Sequence, residues 1–303
     1  MTKTTATALK LGMIGLDTSH TTAFAQLLND PQNPHHVPGG RVAVAFPGGS
    51  PDFKYDYVPK YTAQLRDEFG VSIVDSPEQV ARECDAILLV SVDGRAHPQL
   101  LEAIAPYGKP VFVDKPFAVC TADAVRMFGL AERYGFPLMS ASSLRYAQPL
   151  TEALWDGESG AVIGADTQGP MALEPTQPGL FWYGIHAVEM LYAILGPGCI
   201  HVTAETSEHH ELVVGKWKDG RIGTVRGNRK GNGVFGAVVH REKGSRCINA
   251  YAGTKPFYAC MLEEVLTMFQ TGGSPLAKEE TIEIVRFIEA ANESRHSGDT
   301  VDL

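Results

Sequence analysis

The chain has 303 residues, 44% of them hydrophobic and 20% charged, and a formal net charge of −9. That balance excludes an intrinsically disordered chain and is enough for one large or two ordinary globular domains, of which two is the expectation. The acidic surplus argues against nucleic acid or an anionic membrane surface as partner and favours a small molecule.

Five scattered cysteines, Cys84, Cys120, Cys199, Cys247 and Cys260, have no C-x-x-C spacing. They read as the reduced thiols of a cytoplasmic protein, with neither a disulfide framework nor a zinc site. Residues 1–10 are polar, lack the apolar stretch of a signal peptide and read as a disordered lead-in. No run approaches the length that spans a bilayer.

Residues 11–16 form a short apolar strand, and Asp17-Thr18-Ser19-His20-Thr21 leads into the helical pattern Ala23, Phe24, Leu27, Leu28. Strand, tight turn and helix start make an anion-binding geometry. A dinucleotide fingerprint needs glycines at 15, 17 and 20, for the turn, for approach of the pyrophosphate and for helix packing. Only Gly15 is present. Asp17 is expected to bring a carboxylate to the pyrophosphate position, and His20 to add bulk where the helix should pack.

The second strand, 41–46, runs into Pro47-Gly48-Gly49-Ser50-Pro51 instead of the acid that holds an adenosine ribose. These glycines with Ser50 and Lys54 are either a cradle for a 2′-phosphate or only a loop. A helix over 55–69 ends at Gly70, a strand follows over 71–74, and Ser76-Pro77-Glu78 caps a helix through 83. The strand 85–91 ends in a loop of Ser91, Asp93, Arg95 and His97 that can wall a site. His97 and Pro98 alternatively just begin the helix 99–107.

Residues 111–113, Val-Phe-Val, read as a buried parallel strand, followed by Asp114-Lys115-Pro116. Open α/β sheets bind ligands beyond the carboxyl ends of their strands, so Lys115 is placed for chemistry. An X-Pro bond is the kind that is readily cis, and Pro116 is expected to turn the backbone there. A surface lysine after an edge strand is the plainer alternative. A helix over 121–134, closed by Gly135, and a strand over 137–141 complete the alternation, which implies a Rossmann-type doubly wound parallel sheet in residues 1–145.

Residues 146–303 read as an α+β domain with an open, mostly antiparallel sheet. A Gly/Pro/Gln-rich loop is expected over 157–179, an amphipathic helix over 181–195, and strands over 200–206, 211–217, 221–227, 234–241 and 246–251. Asp219-Gly220 makes a hairpin turn between two of these strands, and helices over 257–270 and 278–297 close the chain. No internal repeat appears. His209-His210-Glu211 reads as a solvated hairpin end, and Arg226, Asn228, Arg229 and Lys230 as either a grip for an acidic group or a soluble loop. His186 and Glu189, at i and i+3, are too few for a metal site, and no metal is expected.

The segment Gly108-Lys109 to Asp114-Lys115-Pro116, together with Gly184-Ile185-His186, resembles the Gfo/Idh/MocA family of nicotinamide-dependent oxidoreductases, and the resemblance runs through nearly the whole chain. Asp114-Lys115-Pro116 corresponds to the family's Glu-Lys-Pro, His97 to a histidine after the preceding strand, and Glu189 to a position where the family often has Asp. The resemblance implies NAD or NADP as cofactor, a sugar, polyol or related alcohol between the domains, and a cis Lys115-Pro116 bond. It also implies a homo-oligomer, dimer or tetramer, formed through the open sheet face. Lys115 then stands at the reacting carbon and His186 acts as general base. Cofactor contacts fall on Gly15, Asp17, Thr18, Ser19, His20, Ser91, Asp93, His97, Asp114 and Lys115. Substrate contacts fall on Lys115, Arg145, Tyr146, Trp182, Tyr183 and His186.

One departure concerns the family's aspartate one helical turn before the histidine, which is Trp182 here. Tryptophan cannot orient an imidazole as a carboxylate does. Two alternatives stay open: a redox-neutral lyase or glycosidase assisted by a nicotinamide, and a ligand-binding relative without cofactor.

Overall fold

A computed structural model describes residues 8–50, 52 and 57–303. Residues 1–7 of the lead-in, Lys54 and the expected helix start at residue 55 lie outside the described residues. The chain divides into two compact units, interleaved along the sequence. The first comprises Met1–Phe117, Val125–Ser140 and Met261–Pro275, and the second Ala118–Ala124, Ala141–Cys260 and Leu276–Leu303.

The first unit carries six strands: β1 (Leu9–Ile14), β2 (Gly40–Phe46), β3 (Ser72–Ile73), β4 (Ala86–Leu89), β5 (Val111–Val113) and β6 (Leu138–Ser140). All pair in parallel, in the order β3-β2-β1-β4-β5-β6. Every residue of β4, β5 and β6 is buried, so these strands show continuous apolar runs rather than alternation. The connections are α1 (His20–Asn29), α2 (Val58–Phe69), α3 (Pro77–Glu83), α4 (His97–Ile104) and α5 (Thr121–Tyr134).

Local chemistry sets the helix limits. The Ser76 hydroxyl accepts from Gln79 N–H (3.3 Å) at the start of α3, and Gly70 closes α2 with a left-handed φ of 64°. The strand order reverses between β1 and β4, and that is where the crevice of such a sheet opens. Gly15 lies at this switch point with φ 86°, and a Cβ there would stand 2.5 Å from Ser91 N. Only glycine lets the end of β1 pass so close to the end of β4.

The second unit holds α6 (Gln148–Leu154), β7 (Val162–Pro170), α7 (Gly184–Leu195), β8 (Cys199–Thr206), β9 (His210–Trp217), β10 (Ile222–Asn228), β11 (Gly236–Arg241) and β12 (Gly244–Asn249). It also holds the start of α8 (Phe257–Thr271), all of α9 (Lys278–Ser297) and β13 (Val301–Asp302). The sheet order is β12-β11-β7-β10-β9-β8-β13, antiparallel throughout except for β7 with β10. Helices α7 and α9 pack on one face.

Two expectations are corrected here. The loop expected over 157–179 contains β7, a central strand. Its small residues hid it: Gly169 lies so close to the Phe235 ring that a Cβ would overlap it, and the Thr167 hydroxyl donates to Ala187 O of α7 (3.0 Å). The helix expected from 181 begins at Gly184 after a 3₁₀ turn, and it is buried almost all round rather than amphipathic.

Glu211 is also not at a solvated hairpin end. Its side chain is fully buried, and one carboxylate oxygen accepts from Thr206 Oγ1 (2.6 Å), Arg229 Nη1 (3.1 Å) and Arg295 Nε (2.8 Å). Removing one partner of a buried ion pair leaves uncompensated charge. Glu211→Ala is expected to destabilise the fold by about 3 kcal/mol, read as a lower urea midpoint at unchanged m-value.

Candidate active site

Several side chains gather at the carboxyl ends of β1, β4 and β5. The Asp17 carboxylate turns toward β4, where Val92 N–H donates to it at 2.9 Å and the Ser91 hydroxyl at 3.2 Å. Partial burial pushes this carboxyl up, against the hydrogen bonds that lower it. Asp17 therefore ties the first turn to the β4 loop and does not project over the turn. Helix α1 starts there without an acidic residue in its first turn and without a side-chain cap from Ser19. Thr21 N–H turns back to Thr18 O (3.2 Å), so what suits an anion here is the helix dipole. Thr18 is buried beside it, and its hydroxyl accepts from His20 N–H (3.4 Å).

His20 occupies the place of the missing third glycine and makes a link of its own. Its Nδ1 lies 2.6 Å from Asp114 Oδ2, and its ring stacks on Phe24. Burial alone would raise the Asp114 carboxyl, but His20 and Lys115 outweigh it and hold the group below its ordinary range. Lys115 is itself buried, at 7% exposure, and its bond to Pro116 is cis. A buried ammonium beside an ionised carboxylate at a strand end can polarise a hydroxyl brought to it.

His97 has no exposed surface. Its Nε2 is 2.7 Å from Ser91 O, and its Nδ1 is 3.0 Å from Pro116 O and 3.1 Å from Phe117 O. The ring thus braces the β4 turn against the cis-proline turn instead of facing a ligand.

In the second unit, His186 begins α7 with its Nδ1 2.7 Å from the Ser142 hydroxyl, packed edge-on to Tyr183 and Phe235. Ser142 follows β6 and caps a 3₁₀ turn by accepting from Leu144 N–H (3.3 Å). The imidazole partner missing at residue 182 is therefore a serine 44 residues earlier in the chain. No spacing pattern signals such a pair. Trp182 stacks at a tilt on Tyr183, 6.1 Å between centroids.

Arg145 and Glu189 do not join this group. Arg145 is buried, and its guanidinium donates to Glu189 (2.7 Å) and to Glu280. Burial pushes Glu189 up while Arg145 opposes it. This network fixes the start of α9 to α7 and leaves neither side chain to a substrate or a metal. Tyr146 ends the same 3₁₀ turn. Among the described residues no group of His, Cys, Asp and Glu could hold a metal, and no helix is long and apolar enough to cross a membrane.

The strand order, the start of α1 without an acidic residue and the inward-turned Asp17 fit a dinucleotide lying over the β1 turn. Comparison with known proteins agrees. The 61-residue stretch that matches the myo-inositol dehydrogenase Hyg17 of Streptomyces leeuwenhoekii is 44% identical, and covers 20% of this chain and 18% of that protein. Solved structures extend the likeness along the chain. GenD2 from gentamicin A biosynthesis, solved with NAD, has a TM-score of 0.81 at 18% identity over 98% of this chain and 97% of its own. The myo-inositol dehydrogenase of Lactobacillus casei, solved with NAD(H) and myo-inositol, has a TM-score of 0.78 at 16% identity over 98% and 97%. At such identities these structures establish a shared fold. Residues 51–142 match the model of the Gfo/Idh/MocA oxidoreductase family, described as an NAD-binding Rossmann fold.

Proposed function

We propose that this protein is an NAD(P)-dependent oxidoreductase acting on a secondary alcohol of a sugar or polyol, with an inositol-like ring as the substrate class. The observation that carries the reading is the buried Lys115 at the end of β5, in the same unit as the start of α1 at the sheet's switch point. The inositol dehydrogenases among the relatives support the substrate class.

A bound nicotinamide supplies the hydride acceptor. Lys115 and His186 are the residues assigned to the reacting carbon. The Lys115 ammonium stabilises negative charge on the substrate hydroxyl, and Asp114, held anionic by His20 and Lys115, is its neighbouring countercharge. His186 takes the hydroxyl proton, with Ser142 orienting its ring. Trp182 and Tyr183 offer apolar faces to a ring substrate.

The reading extends to the setting. Five cysteines, none of them in a disulfide, fit a reducing cytoplasm. The face of the seven-stranded sheet opposite α7 and α9, with Val214, Ile222 and Val238, suits a homo-oligomer.

Titration with NADH and NADPH, followed by nicotinamide fluorescence, tests the cofactor, and absorbance at 340 nm with myo-inositol and scyllo-inositol tests the reaction. The expected result is saturable binding of one dinucleotide and its reduction by an inositol. Absence of binding by both dinucleotides sinks the reading.

A further inference from the structure

A cleft of about 450 Å³ lies beside the β1 turn, between the loop after β2 and the start of α4. Phe46, Gly48 and Gly49 line one side, and Ala96, Gln99 and Leu100 the other. Its walls give an apolar slot of the kind that receives a flat base, and its floor is polar. In a sheet of this order the adenosine half of a dinucleotide passes over the end of β2, where an acid ordinarily takes the ribose hydroxyls and an arginine takes a 2′-phosphate. Here β2 ends in Pro47-Gly48-Gly49-Ser50, without an acid.

The carboxylate comes from the β4 loop instead. Asp93, 3% exposed, receives the Ser50 hydroxyl on Oδ2 at 2.6 Å. It also holds Arg95 through both oxygens, with Nε to Oδ1 at 2.9 Å and Nη2 to Oδ2 at 2.7 Å. Asp52 accepts from the same Nη2 at 2.6 Å. Burial alone would raise Asp93, but Arg95 and Ser50 hold it at about 2, so it is ionised at neutral pH.

Among the described residues that line the cleft, the two donors that could meet a 2′-phosphate, Ser50 and Arg95, are thus both engaged by carboxylates. Two carboxylates against one guanidinium give Asp52, Asp93 and Arg95 together a net charge of −1. A phosphate dianion entering the cleft meets repulsion and would have to break a bidentate ion pair, whereas a neutral ribose hydroxyl can replace the Ser50 hydroxyl on Asp93.

The geometry points to Asp93 and Asp52 as the cofactor-selecting residues: they hold Arg95 and Ser50 away from a 2′-phosphate, so that this chain selects NAD over NADP. This inference rests on the dinucleotide reading above.

Calorimetric titration of the full chain with NAD+ and with NADP+ tests it without reference to turnover. The wild type is expected to bind NAD+ at least about tenfold more tightly, a difference of about 1.4 kcal/mol. Asp52→Asn removes one hold on Arg95 at a half-exposed position, and is expected to tighten NADP+ about threefold or more with NAD+ changed less than about twofold. Asp93→Asn is expected to weaken NAD+ and narrow the ratio further, with circular dichroism reporting whether it folds. Equal or tighter binding of NADP+ by the wild type, or a ratio unchanged by Asp52→Asn, overturns the selection while leaving the dinucleotide reading intact. Failure of both dinucleotides to bind overturns both.

Discussion

Lys115→Ala is expected to lower kcat/KM by about 10³-fold while the protein still folds and still binds a dinucleotide. The magnitude follows from what the ammonium does. Proton handling by a positioned side chain contributes about 10²–10⁴ in rate, and preorganised charge at a developing oxyanion adds to it. Lys115 is buried at the end of β5, next in sequence to an Asp114 carboxylate that His20 holds and that the lysine's charge helps keep ionised. Its burial at a turned strand end limits where the ammonium can go before substrate arrives, and preorganised charge is what is effective in catalysis. Lys115→Arg keeps the charge but moves it into a planar fork on a longer stem, and is expected to recover less than about a tenth of the lost rate. Steady-state kinetics with calorimetry on the same samples check this. A Lys115→Ala rate within about tenfold of wild type would remove Lys115 from the chemistry.

The sequence made the first unit readable because its signals are local. Apolar runs such as Val111-Phe112-Val113, the Ser76-Pro77 cap and Gly70 each act within a few residues, and the strands they delimit appear at those places. The resemblance carried by Asp114-Lys115-Pro116 matched the cis bond seen there. What stayed hidden was set by partners far along the chain. β7 looked like a loop because Gly164, Ala165 and Gly169 carry no strand propensity, and the Phe235 ring that keeps residue 169 small lies far along the chain. Arg145 looked available because its partners, Glu189 and Glu280, lie on two other helices. Asp17 seemed to obstruct a pyrophosphate, since nothing in its neighbours reveals that Ser91 and Val92 draw it inward. Pattern reading finds elements, and it misses pairings whose two halves have no fixed spacing.

The same limit governs His186. Read alone, the sequence leaves it without an orienting group, because Trp182 stands one turn earlier on the helix. Ser142 fills that place at 2.7 Å from Nδ1. A serine hydroxyl can accept as well as donate, and Ser142 already accepts from Leu144 N–H. In the tautomer that donates Nδ1–H to Ser142, the Nε2 lone pair is the basic one, which suits a general base. His186→Ala is accordingly expected to lower kcat/KM by about 10²–10⁴-fold. Ser142→Ala is expected to lower kcat about tenfold with KM for the dinucleotide unchanged, because it frees the ring without removing the base. Ser142→Thr, which keeps the hydroxyl, should restore most of the rate.

The pH profile tests His186 as the base. A general base works only when unprotonated, so log kcat/KM falls on the acid side. A neutral hydroxyl stabilises the imidazolium less than a carboxylate does. Ser142→Asp should therefore move the acid limb to higher pH, whereas a limb that stays in place would mean that His186 is not the base.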